Sequence, residues 1–151
     1  MNLILEDCPQ GPYYTNMRWV LDALGLNANE FDWFVSDIEH TAGDAFRTED
    51  HWISGADLER ALRYNDIQFI WAVFSAVSKG SSRPPIHASP YADGNASFWT
   101  NPPVRPQLSG ASFEIVCWDS SATILIELPE AAARRFCQRF PGAKALDNAR
   151  S

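Results

Sequence analysis

The chain has 151 residues, of which 46% are hydrophobic and 13% aromatic, and a formal net charge of −7. This composition excludes a disordered chain and is large enough for one domain with its own core. Its acidity argues against a nucleic-acid partner, whose phosphates would be repelled.

Leu3–Leu5 is a short apolar run and a first candidate strand. It lacks the length and basic flank of a signal peptide, and no stretch approaches the roughly 20 apolar residues of a membrane span, so a cytoplasmic protein with no membrane partner is expected. Asp7–Pro12 is a turn-rich break. Over Tyr14–Leu24 the apolar residues Met17, Val20, Leu21 and Leu24 recur on one helical face, and Gly25 is placed to cap that helix. Asn27–Glu30 is a polar connection. Phe31–Thr41 reads as a strand, with Trp33 and Val35 on one face and Asp37 and Glu39 sharing a face through the two-residue period. Ala42–Asp50 is an acidic loop. Ser54 then stands as N-cap of a helix over Gly55–Tyr64, with Asp57 completing a capping-box spacing.

Asp66 opens the clearest strand, Ile67–Phe74. Both of its alternating sets are apolar, which predicts a central strand buried on two faces. Residues 78–107 are rich in Gly, Ser and Pro and form a long loop, a feature that in a compact domain is often functional. Phe113–Trp118 and Thr123–Leu128 are strands joined by a hairpin turn at Asp119–Ala122. Pro129 starts a last helix in which Ala132, Phe136 and Phe140 share a face, and Pro141-Gly142 ends it. The order β-α-β-α-β-loop-β-β-α predicts a single α+β domain over 1–151, with a mixed or largely antiparallel sheet of about five strands and roughly three helices packed on it.

Charge is unevenly divided along this order. Residues 1–66 carry thirteen Asp and Glu against four Arg, a net of −9, while residues 67–151 carry six acids against eight bases, a net of +2. Acids and aromatics mingle within Glu30–Trp52. Carboxylates steer a basic partner, and Trp or Tyr anchors it. The chain also holds six Trp, more than a small core usually needs.

Four constellations invite chemistry. Asp37, Glu39, His40, Asp44, Glu49, Asp50 and His51 could ligate a divalent cation, but their spacing matches no metal motif, so docking or simple solubility is the preferred reading and no metal is expected. Cys117-Trp118-Asp119-Ser120-Ser121 offers nucleophiles without a nucleophile elbow or a nearby His, and a hairpin turn explains it. The long loop brings His87, Tyr91, Asp93, Asn95, Phe98 and Trp99, whose aromatics either anchor an interface or plug back onto the sheet. Arg134, Arg135 and Arg139 read as a solvated helix face. Cys8, Cys117 and Cys137 show no zinc spacing and read as buried reduced thiols. Lys79-Gly80-Ser81-Ser82 lacks the glycine pattern of a phosphate loop, and no cofactor is expected.

The segments Phe31–Glu39, Ile67–Ser75 and Phe113–Ser121 resemble those of small bacterial proteins. The chain is similar in style to the immunity proteins of polymorphic and secreted toxin systems, which are short, acidic, aromatic-rich and α+β. The resemblance implies a non-enzymatic inhibitor that binds a cognate toxin domain. It has no fixed motif, so no functional residue is carried over from it. The expected contact surface is Asp32, Trp33, Asp37, Glu39, Asp44, Glu49, Asp50 and Trp52, assisted by Tyr91, Asp93 and Trp99. Two other readings stand beside it. One is a small hydrolase or metal-dependent enzyme with its site among His40, Asp44, His51 and Cys117. The other is a homodimer or larger homo-oligomer whose interface buries the surplus Trp.

Overall fold

In the computed structural model, which describes residues 1–6, 15–100 and 103–150, one antiparallel sheet of seven strands organises the chain. In chain order the strands are β1 (Leu3–Leu5), β2 (Phe31–His40), β3 (His51–Ser54), β4 (Phe69–Ser78), β5 (Phe113–Trp118), β6 (Ala122–Ile126) and β7 (Lys144–Ala145). Across the sheet they run β3-β2-β4-β5-β6-β1-β7. The helices are α1 (Met17–Leu24), α2 (Gly55–Tyr64), the short α3 (Ser97–Thr100) and α4 (Glu130–Arg139). The α+β class is as expected, but the sheet has seven strands where about five were expected, and there are four helices for three. The additions are β3, β7 and α3, all of four residues or fewer and too short to set up a periodicity.

The two faces of the sheet are covered by different material. On one face the helices α1, α2 and α4 bury Val20, Leu24, Leu58, Leu62, Ala132 and Phe136 against Trp33, Val35, Phe74, Phe113, Ile115 and Leu125. On the other face lie Ile4, Val73, Val116, Ile124 and Ile126, covered by Ala92, Phe98 and Val104 of the long loop and by Leu146. A third cluster joins Phe34 and Val77 to Leu108. Strand β4 sits between β2 and β5 with both faces covered, which is why both of its alternating sets are apolar.

Local signals set the helix ends, and α1 begins at Met17, inside the Tyr14–Leu24 span that the sequence suggests. Asn16 caps α1 by accepting from the backbone N–H groups of Arg18 and Trp19. Gly25 closes the helix in the left-handed conformation at φ 71°. Arg135 is not a free solvated cation: its Nε donates to the Leu24 carbonyl at 2.7 Å, tying α4 to the C-terminus of α1. Ser54 Oγ accepts from Asp57 N at 3.2 Å and starts α2, but Asp57 turns its carboxylate to Arg60, so only half of the capping box forms.

Gly55 marks the tightest backbone approach. A Cβ there would lie 2.2 Å from the Phe31 carbonyl oxygen and 2.3 Å from that of Ala28. Neither oxygen belongs to a side chain that could swing away. Gly55→Ala should therefore destabilise the protein by about 3 kcal/mol, the upper end of ordinary overpacking. A urea midpoint unchanged in that variant would show that the start of α2 moves freely over β2.

Candidate functional site

The long loop is strapped to the sheet by two carboxylates. Glu114 on β5 is fully buried and accepts from Ser75 Oγ at 2.6 Å, Gln107 N at 2.6 Å and Leu108 N at 3.0 Å. Burial pushes its carboxyl pKa above the ordinary value, outweighing the opposing pull of the hydrogen bonds from Ser75, Leu108 and Gln107. Asp37 Oδ2 accepts from Ala92 N at 2.8 Å and Asp93 N at 2.9 Å. Gln107 closes the circuit, since its Oε1 accepts from Tyr91 N and its Nε2 donates to Tyr91 O, both at 3.0 Å.

Asp37 reaches the loop because β2 is irregular there. From Ser36 to Glu39 the strand advances three residues while its partner β4 advances two, from Val73 to Trp71. Asp37 takes φ 54°, a left-handed value that Asp tolerates better than most residues. Its backbone N–H donates to Asp50 Oδ1 at 3.0 Å. The acidic loop and the long loop, about 40 residues apart in the chain, thus meet at one bulge.

Beyond the bulge the strapped loop delivers α3 to the end of the sheet. Asn95 is buried and holds that helix, accepting from Ser97 N at 3.0 Å while its Nδ2 donates to Tyr91 O at 2.9 Å. Trp99 then packs edge-on against Trp118 with ring centroids 5.2 Å apart, Trp71 does so at 5.1 Å, and Phe98 at 6.0 Å. Phe98 is buried, whereas Trp71, Trp99 and Trp118 are all half-buried. Exposed acids occur on the same segments. Glu39 is exposed and in register with Trp71. Its neighbour His40 packs on Phe69 beneath the helices, so Glu39 projects from the Trp71 face. Asp119 is exposed next to Trp118, in a turn whose Ser120 N donates to Ile70 O at 3.0 Å. Asp93 is exposed on the strapped loop.

The remaining expected contacts are scattered. Trp33 lies in the core, fully buried, with its indole Nε1 donating to Ala28 O at 2.9 Å; it supports β2 and offers no surface. Asp32 is half-buried opposite Ser54 and Val77. Trp52 packs at a tilt against Phe34 and lies under the Arg83 guanidinium, 5.1 Å from the ring centroid, on the edge strand β3. Asp44 and Glu49 are exposed near that edge. Glu49 is held below its ordinary pKa by its own backbone N–H first and by Arg47 second. Tyr91 is exposed, and its backbone is the loop's fastening point.

Of the residues of the enzyme reading, Cys117 stands apart from His40, Asp44 and His51. Cys117 is fully buried beneath the helices, where burial raises its thiol pKa strongly. His40 is turned to the 41–50 loop, with Nδ1 accepting from Ala42 N at 2.9 Å and Nε2 therefore donating to Phe46 O at 2.7 Å. His51 lies on the other side of Phe46, with Nδ1 against Glu49 O at 2.6 Å. Both imidazoles hold the acidic loop around Phe46. Among the described residues no group of three or more His, Cys, Asp or Glu is placed to hold a metal. Cys117 should react with a thiol reagent only when the protein unfolds, whereas the half-buried Cys137 should react faster. Mass mapping after limited labelling would check this, and early labelling of Cys117 would contradict its burial. Cys8 lies outside the described residues.

Sequence reasoning missed Trp71 and Trp118 as surface residues, along with Glu114 and Gln107. Trp71 and Trp118 are hidden in strands that are mostly apolar on both alternating sets. Glu114 did carry a signal, as an acid inside an otherwise apolar strand, where a carboxylate requires partners. Among the described residues no helix is long and apolar enough to cross a membrane. No protein-family model, curated protein or solved structure matches the chain.

Proposed function

We propose that this protein is a non-enzymatic binding inhibitor of the immunity type, which docks onto a basic toxin or effector domain. The observation that carries the reading is the gathering of three half-buried tryptophans, Trp71, Trp99 and Trp118, with the exposed acid Glu39 paired across the strands from Trp71 and the exposed Asp119 next in sequence to Trp118. These residues come from β2, β4, β5 and the long loop. Aromatic anchors with acids nearby suit a tight contact: the rings supply buried area at low entropic cost, and the acids raise the rate of encounter with a basic surface. The strapping by Asp37 and Glu114 supports the same reading, because a loop already ordered loses little freedom on binding.

The contact surface is accordingly narrower than the whole Glu30–Trp52 segment. Glu39, Asp93 and Trp99 remain in it, Trp71, Trp118 and Asp119 join it, and Asp37 and Asp50 serve it from behind.

The test is purification of the tagged chain from its native host, with its companions identified by mass spectrometry and each assayed for activity with and without added inhibitor. A stoichiometric basic domain whose toxicity falls on binding is the expected result. Recovery of the chain alone as a defined homo-oligomer, with no inhibited partner, would overturn it in favour of a self-assembling subunit.

A further inference from the structure

We infer that two copies of this chain pair through β3, edge to edge and antiparallel about a two-fold axis at Trp52, so that their sheets run together. This contact is independent of the docking surface above. β3 is the outermost strand on its side of the sheet and is paired with β2 alone. Among the described residues, no hydrogen bond joins its outward backbone N–H and C=O groups to another segment. Such a row is a template for another strand, and edges not meant for pairing are guarded by Lys, Pro, a bulge or extreme shortness. His51-Trp52-Ile53-Ser54 has no Lys or Pro, and its register with β2 is unbroken. The opposite edge is guarded. There β7 is two residues long, carries Lys144 paired with Glu6, and runs directly into a 3-10 helix at Leu146. With one edge open and the other guarded, pairing closes at two copies.

Charge names the occupant. The chain is −7 overall, so most of its surface repels a second copy. Beside β3, however, lies a groove whose charged lining is Asp44 and Asp57 with Arg47 and Arg83. This balanced lining gives a strongly basic or acidic partner no net attraction, whereas a two-fold contact needs a self-complementary surface of this kind. The register follows from the faces. Trp52 lies with Phe34 on the long-loop face, while His51 and Ile53 pair with Val35 and Trp33 on the helix face. An axis at Trp52 sets Trp52 opposite its own copy, and Ile53 opposite His51 of the other copy. An axis at Ile53 would bring His51 against Gly55, where the chain has already turned into α2. His51 lines the groove together with Ala45 and Ala61, so the incoming Ile53 meets apolar walls.

The interface is small, so the dimer should form reversibly with concentration. Sedimentation of the full chain should show the mass rise from 16.9 kDa toward twice that value. Hydrogen exchange at the outward amides of β3 should slow along the same series. Trp52→Lys sets like charges opposite each other and should weaken the dimer about tenfold or more. It also removes the contacts to Phe34 and Arg83, so its melting curve is recorded beside it. Ala61→Arg is the second variant, a good helix former that fills the groove, and the same loss is expected. A mass that stays at 16.9 kDa up to about 1 mM would overturn the inference. A dimer that survives both variants, or that leaves β3 exchange unchanged, would also overturn it by placing the contact elsewhere. Protection of β3 only in the presence of another protein would assign the edge to that protein's strand instead. An inhibited effector held by a chain that never dimerises would remove this pairing and keep the docking reading. A β3 dimer with no effector recovered would do the reverse.

Discussion

Replacing Glu114 by alanine should destabilise the protein by about 2–4 kcal/mol and release the long loop. Three donors lose their acceptor at once: Ser75 Oγ, Gln107 N and Leu108 N. Each buried donor left without a partner costs about 1–3 kcal/mol, and removal of a buried carboxylate recovers part of that sum. Hydrogen exchange should locate the damage, with protection lost across residues 90–108 before it is lost in β4. Glu114→Gln is the sharper variant. Its oxygen can serve Ser75 and Leu108, but its NH2 then faces the N–H of Gln107. The two variants also separate by pH. Burial raises the Glu114 pKa in the folded state, so the folded state holds this proton more tightly than the unfolded chain does. The stability from that proton is fully present below the unfolded pKa and is lost as pH rises through the folded one. The protonated acid keeps its partners if the Ser75 hydroxyl rotates to accept. Wild type should therefore exceed Glu114→Gln by most at acid pH and by less toward neutrality. A difference that grows with pH would mean that the hydrogen bonds, not burial, control this carboxyl.

Much of the frame was legible because its signals are local. Ser54 and Gly25 cap their helices through their own side chain or backbone, and the apolar run of Phe69–Phe74 in β4 marks a strand covered on both faces. The short edge strands were not. His51–Ser54 becomes β3 only because β2 offers it a free edge, and Lys144–Ala145 pairs because β1 does. Neither has a hydrophobic pattern of its own. The limits of the site reading have the same origin. Acid content draws attention to the segment around Asp37, but a carboxylate facing solvent and one accepting two backbone N–H groups are the same letter. Trp33 and Trp71 likewise differ only in which face of the sheet they occupy and in what covers that face.

Charge reversal at the tryptophan patch should then act on binding where reversal elsewhere acts on folding or on nothing. Carrying Glu39→Lys and Asp93→Lys together with Asp119→Asn removes the flanking acids; Asn is chosen at 119 because φ there is 50°. The association rate with a basic partner should fall about 10–100-fold at low salt, and the deficit should fade in high salt as screening removes the steering. Trp99→Ala should instead raise the dissociation rate, costing about 2 kcal/mol or more as a central aromatic anchor does. Asp44→Lys with Glu49→Lys changes net charge by the same sign at the far edge, beside β3, and should leave both rates within a few-fold. Asp37→Lys is predicted to fail differently. It removes the acceptor for Ala92 N and Asp93 N, so it should lower the melting temperature and loosen residues 90–100 even with no partner present. Stopped-flow association kinetics with the melting curve of each variant would resolve the four cases. Equal rate losses at both acid groups would reduce the effect to net charge alone. A Trp99→Ala variant that dissociates no faster would move the interface away from this end of the sheet.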